Sequence, residues 1–136
     1  MRKHKLRVSN FVMIVLLLLA FFYIYTEFVT TRISASELVS EYKLNKVLAD
    51  KKFLNKEIEL TGKVSAYYQF TDGENLLELE SGNKEIGIYC IIVPRKDNER
   101  ARQLTKGIRI KLIGICTGMA IQRFPNSVYI KVIEIK

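Results

Sequence analysis

Glu57-Ile58-Glu59-Leu60-Thr61-Gly62-Lys63-Val64-Ser65-Ala66 carries the change of rhythm on which the fold turns. Ile58, Leu60, Gly62, Val64 and Ala66 alternate with charged and polar side chains, and a period of two puts the apolar set on one face of a half-buried strand. Upstream the period is helical. Leu38, Tyr42, Asn45, Leu48 or Ala49, and Phe53 recur every three or four residues, one stripe facing a core. Ser34-Ala35-Ser36-Glu37 has the spacing of a capping box, so a helix is expected over residues 36–52. Glu37 and Glu41 near its start and Lys51 and Lys52 near its end suit the helix dipole, whereas Asp50 in the last turn calls for a local hydrogen bond or an ion pair with a lysine.

Downstream, Thr71-Asp72-Gly73-Glu74 is a turn signal, and Leu77 and Leu79 then alternate with Glu78 and Glu80. After a second turn at Ser81-Gly82-Asn83, Ile86, Ile88, Cys90 and Ile92 share one face of a third strand. The polar run Arg95–Gln103 reads as a short helix. A fourth strand puts Ile108, Ile110, Leu112, Gly114 and Cys116 on one face, and Ser127–Ile135 is the fifth. Five strands, a short helix between the third and fourth, and glycines inside the first and fourth where closure needs bends predict a mainly β fold, a small Greek-key barrel of the OB type. An open sheet would leave its apolar face uncovered, because only one helix of useful length is available to pack on it.

These residues resemble the tRNA-anti-like OB-fold family, exported or membrane-tethered bacterial modules. The matching positions are Leu38, Tyr42, Asn45, Ala49-Asp50, Phe53 and Lys56, then Ile58, Gly62 and Val64, then Lys106-Gly107 and Gly114 with Cys116, within residues 36–135. Members usually carry Tyr and Gly where this chain has Phe53 and Asn55, and often a cysteine in the last strand that is missing here. The resemblance implies a fold and a compartment, and no activity.

The N-terminus points to a membrane. Arg2, Lys3, Lys5 and Arg7 precede an unbroken apolar run from Phe11 to Tyr25, which Val8, Phe28 and Val29 extend. A bilayer asks for roughly 20 apolar residues, so a cleaved signal peptide competes with a retained anchor. Thr26, Glu27 and Arg32 follow the run, and Ser34-Ala35-Ser36 is the one small-residue cleavage candidate, which favours an anchor. The excess of basic residues before the run places the N-terminus in the cytoplasm and the rest of the chain outside. The expected organisation is a basic tail over 1–7, a single transmembrane signal-anchor helix over 8–29, a linker over 30–35 and an extracytoplasmic domain over 36–136.

Composition bounds the chemistry. The 136 residues carry 22 Lys and Arg against 14 Asp and Glu, a net charge of +8. Residues 37–136 hold seventeen basic and thirteen acidic side chains, a mildly basic balance. His4 is the single histidine and lies on the cytoplasmic side, so no histidine-based triad or His-containing zinc site is expected outside. Glu57 with Glu59, and Glu78 with Glu80, sit two apart on strands and read as solvated outward pairs. No enzyme chemistry, metal or cofactor is expected. Cys90 and Cys116 both read as inward-facing, and two readings stand: a disulfide across the barrel, or a pair of buried thiols.

OB barrels bind along strands two and three and between the loops joining strands one to two and four to five. Tyr67, Tyr68 and Phe70 fall in the first of those loops, Tyr89 points outward on strand three, and Arg123-Phe124 lies in the second. They form the candidate ligand site, against the plainer reading that Tyr67 and Phe70 cap the barrel end. Arg95, Lys96, Arg100, Arg102, Arg109 and Lys111 form a candidate basic contact. The expected function is a non-enzymatic binding or scaffolding module for an envelope protein or glycan. The alternative is a single-stranded nucleic-acid binder that stacks bases on these rings.

Overall fold

The computed structural model describes residues 2–28, 30–93, 95–120 and 123–136, leaving aside the side chains of residues 2–10, 25–28, 95, 96 and 120. Two units emerge, Met1–Thr30 and Thr31–Lys136. The first is α1 (Arg2–Phe28), in which the described stretch from Phe11 to Ile24 exposes its apolar side chains. Among the described residues no helix is long and apolar enough to cross a membrane. Residues 8–10 and 25–29 of the expected span fall outside the described side chains.

The second unit opens with a strand where the sequence suggested a linker. β1 (Thr31–Ser34) runs parallel to β2 (Glu57–Gln69), with Thr31 opposite Ile58 and Ser34 opposite Thr61. Next comes α2 (Ala35–Leu44), started by the expected capping box: the Glu37 amide donates to Ser34 Oγ at 3.3 Å, and Glu37 Oε2 accepts from the Ser34 amide at 3.0 Å.

The single helix expected over 36–52 is in fact two, because Asn45 is extended at φ −160 and ψ 103. Its amide donates to the Glu41 carbonyl and closes α2, while its side-chain oxygen accepts from the Leu48 amide at 3.1 Å and opens α3 (Lys46–Phe53). The break rotates the apolar stripe. Leu38, Tyr42, Ala49 and Phe53 are buried, whereas Asn45 and Leu48 face solvent. Asp50 is held as expected by a lysine, its Oδ2 lying 2.6 Å from Lys46 Nζ.

The remaining elements are β3 (Asn75–Leu79), β4 (Gly87–Ile92), α4 (Arg95–Gln103), β5 (Arg109–Ala120) and β6 (Ser127–Ile135). Hydrogen-bonded neighbours run β2-β3-β4-β6-β5 and back to β2, so five strands close a barrel; β4 and β6 pair in parallel and the other barrel pairs are antiparallel. β1 is a sixth strand outside the ring. It shares an edge of β2 with β3, β1 covering Ile58–Thr61 and β3 covering Val64–Gln69.

Inside lie Ile58, Leu60, Val64, Leu77, Leu79, Ile88, Cys90, Ile110, Leu112, Cys116, Val128 and Ile130, closed at one end by Leu38, Tyr42 and Phe53. Ile108, expected on this face, is instead exposed and precedes β5. Gly114 allows closure: a Cβ there would lie 2.6 Å from Ile130 Cγ2 and 2.8 Å from the Lys131 carbonyl oxygen. Gly118, at φ +75, sits in the β5 bulge, where a Cβ would meet Leu54 and Asp50.

A second irregularity sets up the outer surface. Between Val64 and Ala66 the β2–β3 register shifts, and the inward parity changes with it. Val64 points in, but beyond the bulge it is Tyr67 that packs with the core and Tyr68 that turns outward.

The cysteines are both free and buried. Across β6, Cys90 and Cys116 both pair with Ile130, so the three form one row with Ile130 in the middle. Two strand spacings separate the cysteine Cα atoms by about 9–10 Å, past the roughly 7 Å limit of a disulfide. The thiols pack as small apolar groups, with Cys116 Sγ 3.5 Å from the Tyr42 hydroxyl, and burial pushes both thiol pKa values up.

Candidate functional site: an aromatic face on the outer wall

Outward positions of four barrel strands gather a second apolar cluster. Tyr68, Leu76, Tyr89 and Tyr129 meet Phe70 and Phe124 there. The β4–β6 register sets Tyr89 beside Tyr129, ring centroids 5.8 Å apart, and Phe124 then lies flat on Tyr89 at 4.3 Å and 8°. What holds Phe124 there is Tyr129, whose hydroxyl accepts from the Phe124 amide at 2.8 Å and donates to the Phe124 carbonyl at 3.1 Å. Tyr68 completes the group at 5.4 Å from Phe124, 6.3 Å from Tyr89 and 6.4 Å from Phe70.

The stack covers its own floor. Tyr129 is buried and Tyr89 is 8% exposed, whereas Tyr68, Phe70 and Phe124 stay half-buried and form the accessible rim.

Carboxylates surround the rings. Tyr68 donates to Glu78 Oε2 at 2.9 Å. Arg123 lays its guanidinium over Phe70 at 3.9 Å and is held by Asp72 and by Glu74, the latter at 2.9 Å. Burial, with Glu78 nearby, pushes the Tyr89 phenol up to about 12. The hydrogen bond to Glu78 and then burial raise Tyr68, and burial raises Tyr129. The hydrogen bond that Arg123 donates to Glu74 raises its pKa further and keeps it protonated. The face therefore presents phenols held protonated beside Asp72, Glu74 and Glu78 and one engaged guanidinium, a combination suited to stacking and to accepting hydrogen bonds.

Of the six ring-and-cation candidates, Tyr68, Phe70, Tyr89, Arg123 and Phe124 come together. Tyr67 does not: the bulge turns it into the core, its hydroxyl buried without a hydrogen-bond partner. Tyr129 was missed, although Val128, Ile130 and Val132 on the inner face already assigned it outward by alternation.

Among the described side chains, the basic candidates make separate contacts. Arg100 Nη1 donates to the Ile135 carbonyl at 2.7 Å, which ties α4 to the end of β6. Lys111 lies 3.5 Å from Glu59. Arg109 pairs across strands with Lys63, Arg102 lies near Tyr67, and the side chains of Arg95 and Lys96 fall outside those described. Glu59, expected to be solvated, is 8% exposed beneath Arg32, Lys111 and Lys136. Burial pushes its carboxyl up, and those cations outweigh that and hold it below the ordinary range. Among the described residues no group of three or more His, Cys, Asp or Glu side chains could hold a metal ion.

Known structures share the barrel. A Klebsiella pneumoniae lipoprotein described as a candidate nucleic-acid binder matches with a TM-score of 0.55 at 14% identity, over 77% of this chain and 92% of that one. An OBody bound to hen egg-white lysozyme matches with a TM-score of 0.51 at 14% identity, over 62% of this chain and 82% of that one. The asparaginyl-tRNA synthetase of Entamoeba histolytica matches with a TM-score of 0.52 at 14% identity, over 79% of this chain but only 23% of the synthetase. At these identities the likeness is one of fold. No curated protein matches the chain. With the tRNA_anti-like family matched over residues 3–126, and five strands closed into a barrel, the chain belongs to that OB-fold family.

Proposed function

We propose that the protein is a non-enzymatic binding module, held at a membrane by its N-terminal segment with the barrel outside the cytoplasm, and that its aromatic face takes an envelope protein or a glycan. The observation that carries this reading is the composition of the face: half-buried Tyr68, Phe70 and Phe124 fringed by Asp72, Glu74 and Glu78, with Arg123 already engaged. Sugar rings stack their C–H faces on such aromatics and donate hydroxyls to such carboxylates, and basic protein side chains find the same acceptors. A phosphate backbone meets repulsion there. The OBody shows that a barrel of this shape can hold a protein partner. Support for the anchor comes from the four basic residues ahead of the apolar run.

Single-stranded nucleic acid is the second reading, supported by the likeness to the Klebsiella lipoprotein and by the facing cations Lys63 and Arg109 on the outer wall of β2 and β5. A photoreactive residue at position 70, in the full chain expressed in its native envelope, separates the two. Crosslinks to a protein or cell-wall glycan that fall at least tenfold with Phe124→Ala are expected. Crosslinks to nucleic acid, lost steeply as salt rises, would favour the second reading.

A further inference from the structure

Six consecutive residues across the junction of α2 and α3, Lys43-Leu44-Asn45-Lys46-Val47-Leu48, are all exposed. Tyr42 on one side and Ala49 on the other are pinned in the core, at 3% and 1% exposure, and the extended backbone of Asn45 throws the residues between them outward. Leu44 is 87% exposed, Val47 65% and Leu48 59%. Isolated apolar side chains on a surface need no explanation, but three at the tip of one knuckle mark a contact surface.

The composition around the tip identifies the partner. Residues 43–56 contain five lysines, Lys43, Lys46, Lys51, Lys52 and Lys56, no arginine, and Asp50 as the single acid. Protein interfaces favour arginine and aromatics and are depleted in lysine. Aliphatic side chains with lysines one turn behind them are instead the pattern of segments that lie in a lipid headgroup layer, the apolar tips reaching the acyl boundary and the ammonium groups the phosphates. Lys51 and Lys52 follow Val47 and Leu48 by three to five positions on α3, which places them one turn behind the tip. The pairs Lys43–Glu85, Lys46–Asp50 and Lys52–Glu41 are surface ion pairs, weak enough for the lysines to exchange partners.

We infer that the Leu44–Val47–Leu48 knuckle inserts into an anionic lipid surface and orients the barrel on it. The inference rests on the proposed anchor, which supplies the surface at high effective concentration, so that a shallow contact suffices.

The chain has no tryptophan, so Leu48→Trp introduces a single indole at an exposed position. The full-length variant is reconstituted into vesicles containing phosphatidylglycerol brominated on its acyl chains and isolated by flotation. The expected result is a blue-shifted emission quenched at least twofold, with the quenching lost when Lys43, Lys46, Lys51 and Lys52 are changed to Gln. An Ile133→Trp control on β6 should remain unquenched. Flotation with a solvent-like, unquenched indole at position 48 overturns the inference and leaves the anchor standing. Failure to float overturns both.

Discussion

Changing Gly114 to alanine tests whether the barrel closes as described. The new Cβ would lie 2.6 Å from Ile130 Cγ2 and 2.8 Å from the Lys131 carbonyl oxygen. The side chain can turn away, but the carbonyl cannot, because β6 is paired on both sides, to β5 and to β4. Relief therefore requires β5 and β6 to part locally. Overpacking of this kind costs about 1–3 kcal/mol, and one weakened ladder hydrogen bond adds about 1 kcal/mol. Against this stands a gain of about 0.4–1 kcal/mol from the reduced freedom of the unfolded chain. The net is about 1–4 kcal/mol. For a unit of roughly a hundred residues that lowers the melting temperature by about 4–30 °C. Thermal melts of the full chain in mild detergent, followed by tyrosine near-ultraviolet circular dichroism, give the number. Pairing Gly114→Ala with Ile130→Ala should be less damaging than the sum of the two by about 1 kcal/mol, because one of the two close contacts is removed. A melting temperature within 3 °C of the parent would refute the strand approach on which closure depends.

Acid stability should depend on Glu59. Its folded-state pKa lies below the unfolded one, so its contribution is present above the unfolded value, near the ordinary carboxylate range, and is lost as pH falls through the folded value. Glu59→Gln should lower the urea midpoint at pH 7 and flatten the decline between roughly pH 5 and pH 3; an unchanged pH profile would contradict the burial of this carboxylate among three cations. For the cysteines, a thiol reagent at pH 8 should label neither Cys90 nor Cys116 in the folded protein and both in denaturant, and reductant should leave the melting temperature unchanged. A reductant-sensitive melt would show that the Cys90–Ile130–Cys116 row is wrong.

Much of this architecture is legible in the chain because its signals are local. The alternation from Glu57, the capping box at Ser34 and the turn residues at Asp72-Gly73 and Ser81-Gly82-Asn83 each specify a backbone choice within a few residues. What escapes are features that need a distant partner or a change of phase. β1 has four residues with no alternation, and it is a strand only because Ile58–Thr61 supplies its ladder. The Val64–Ala66 bulge inverts parity, so the alternation stops at Ala66 and Tyr67 and Tyr68 read as a loop, whereas β2 runs on to Gln69 with one of them toward the core and the other on the surface. Asn45 fits a helix stripe by spacing, yet its side chain caps α3 better than it fills a helix interior. The aromatic face was half legible for the same reason: ring positions could be counted along the chain, but that Phe124 would lie on Tyr89 depends on a loop returning across two strands.

The outlying strand β1 has a mechanical consequence. Along the chain, the four rungs from Thr31 opposite Ile58 to Ser34 opposite Thr61 stand ahead of Ala35 and the core beneath α2, so tension arriving from the N-terminal side meets them before it reaches that core. Those rungs sit in series with the domain, on a strand outside the ring that carries the outer aromatic wall.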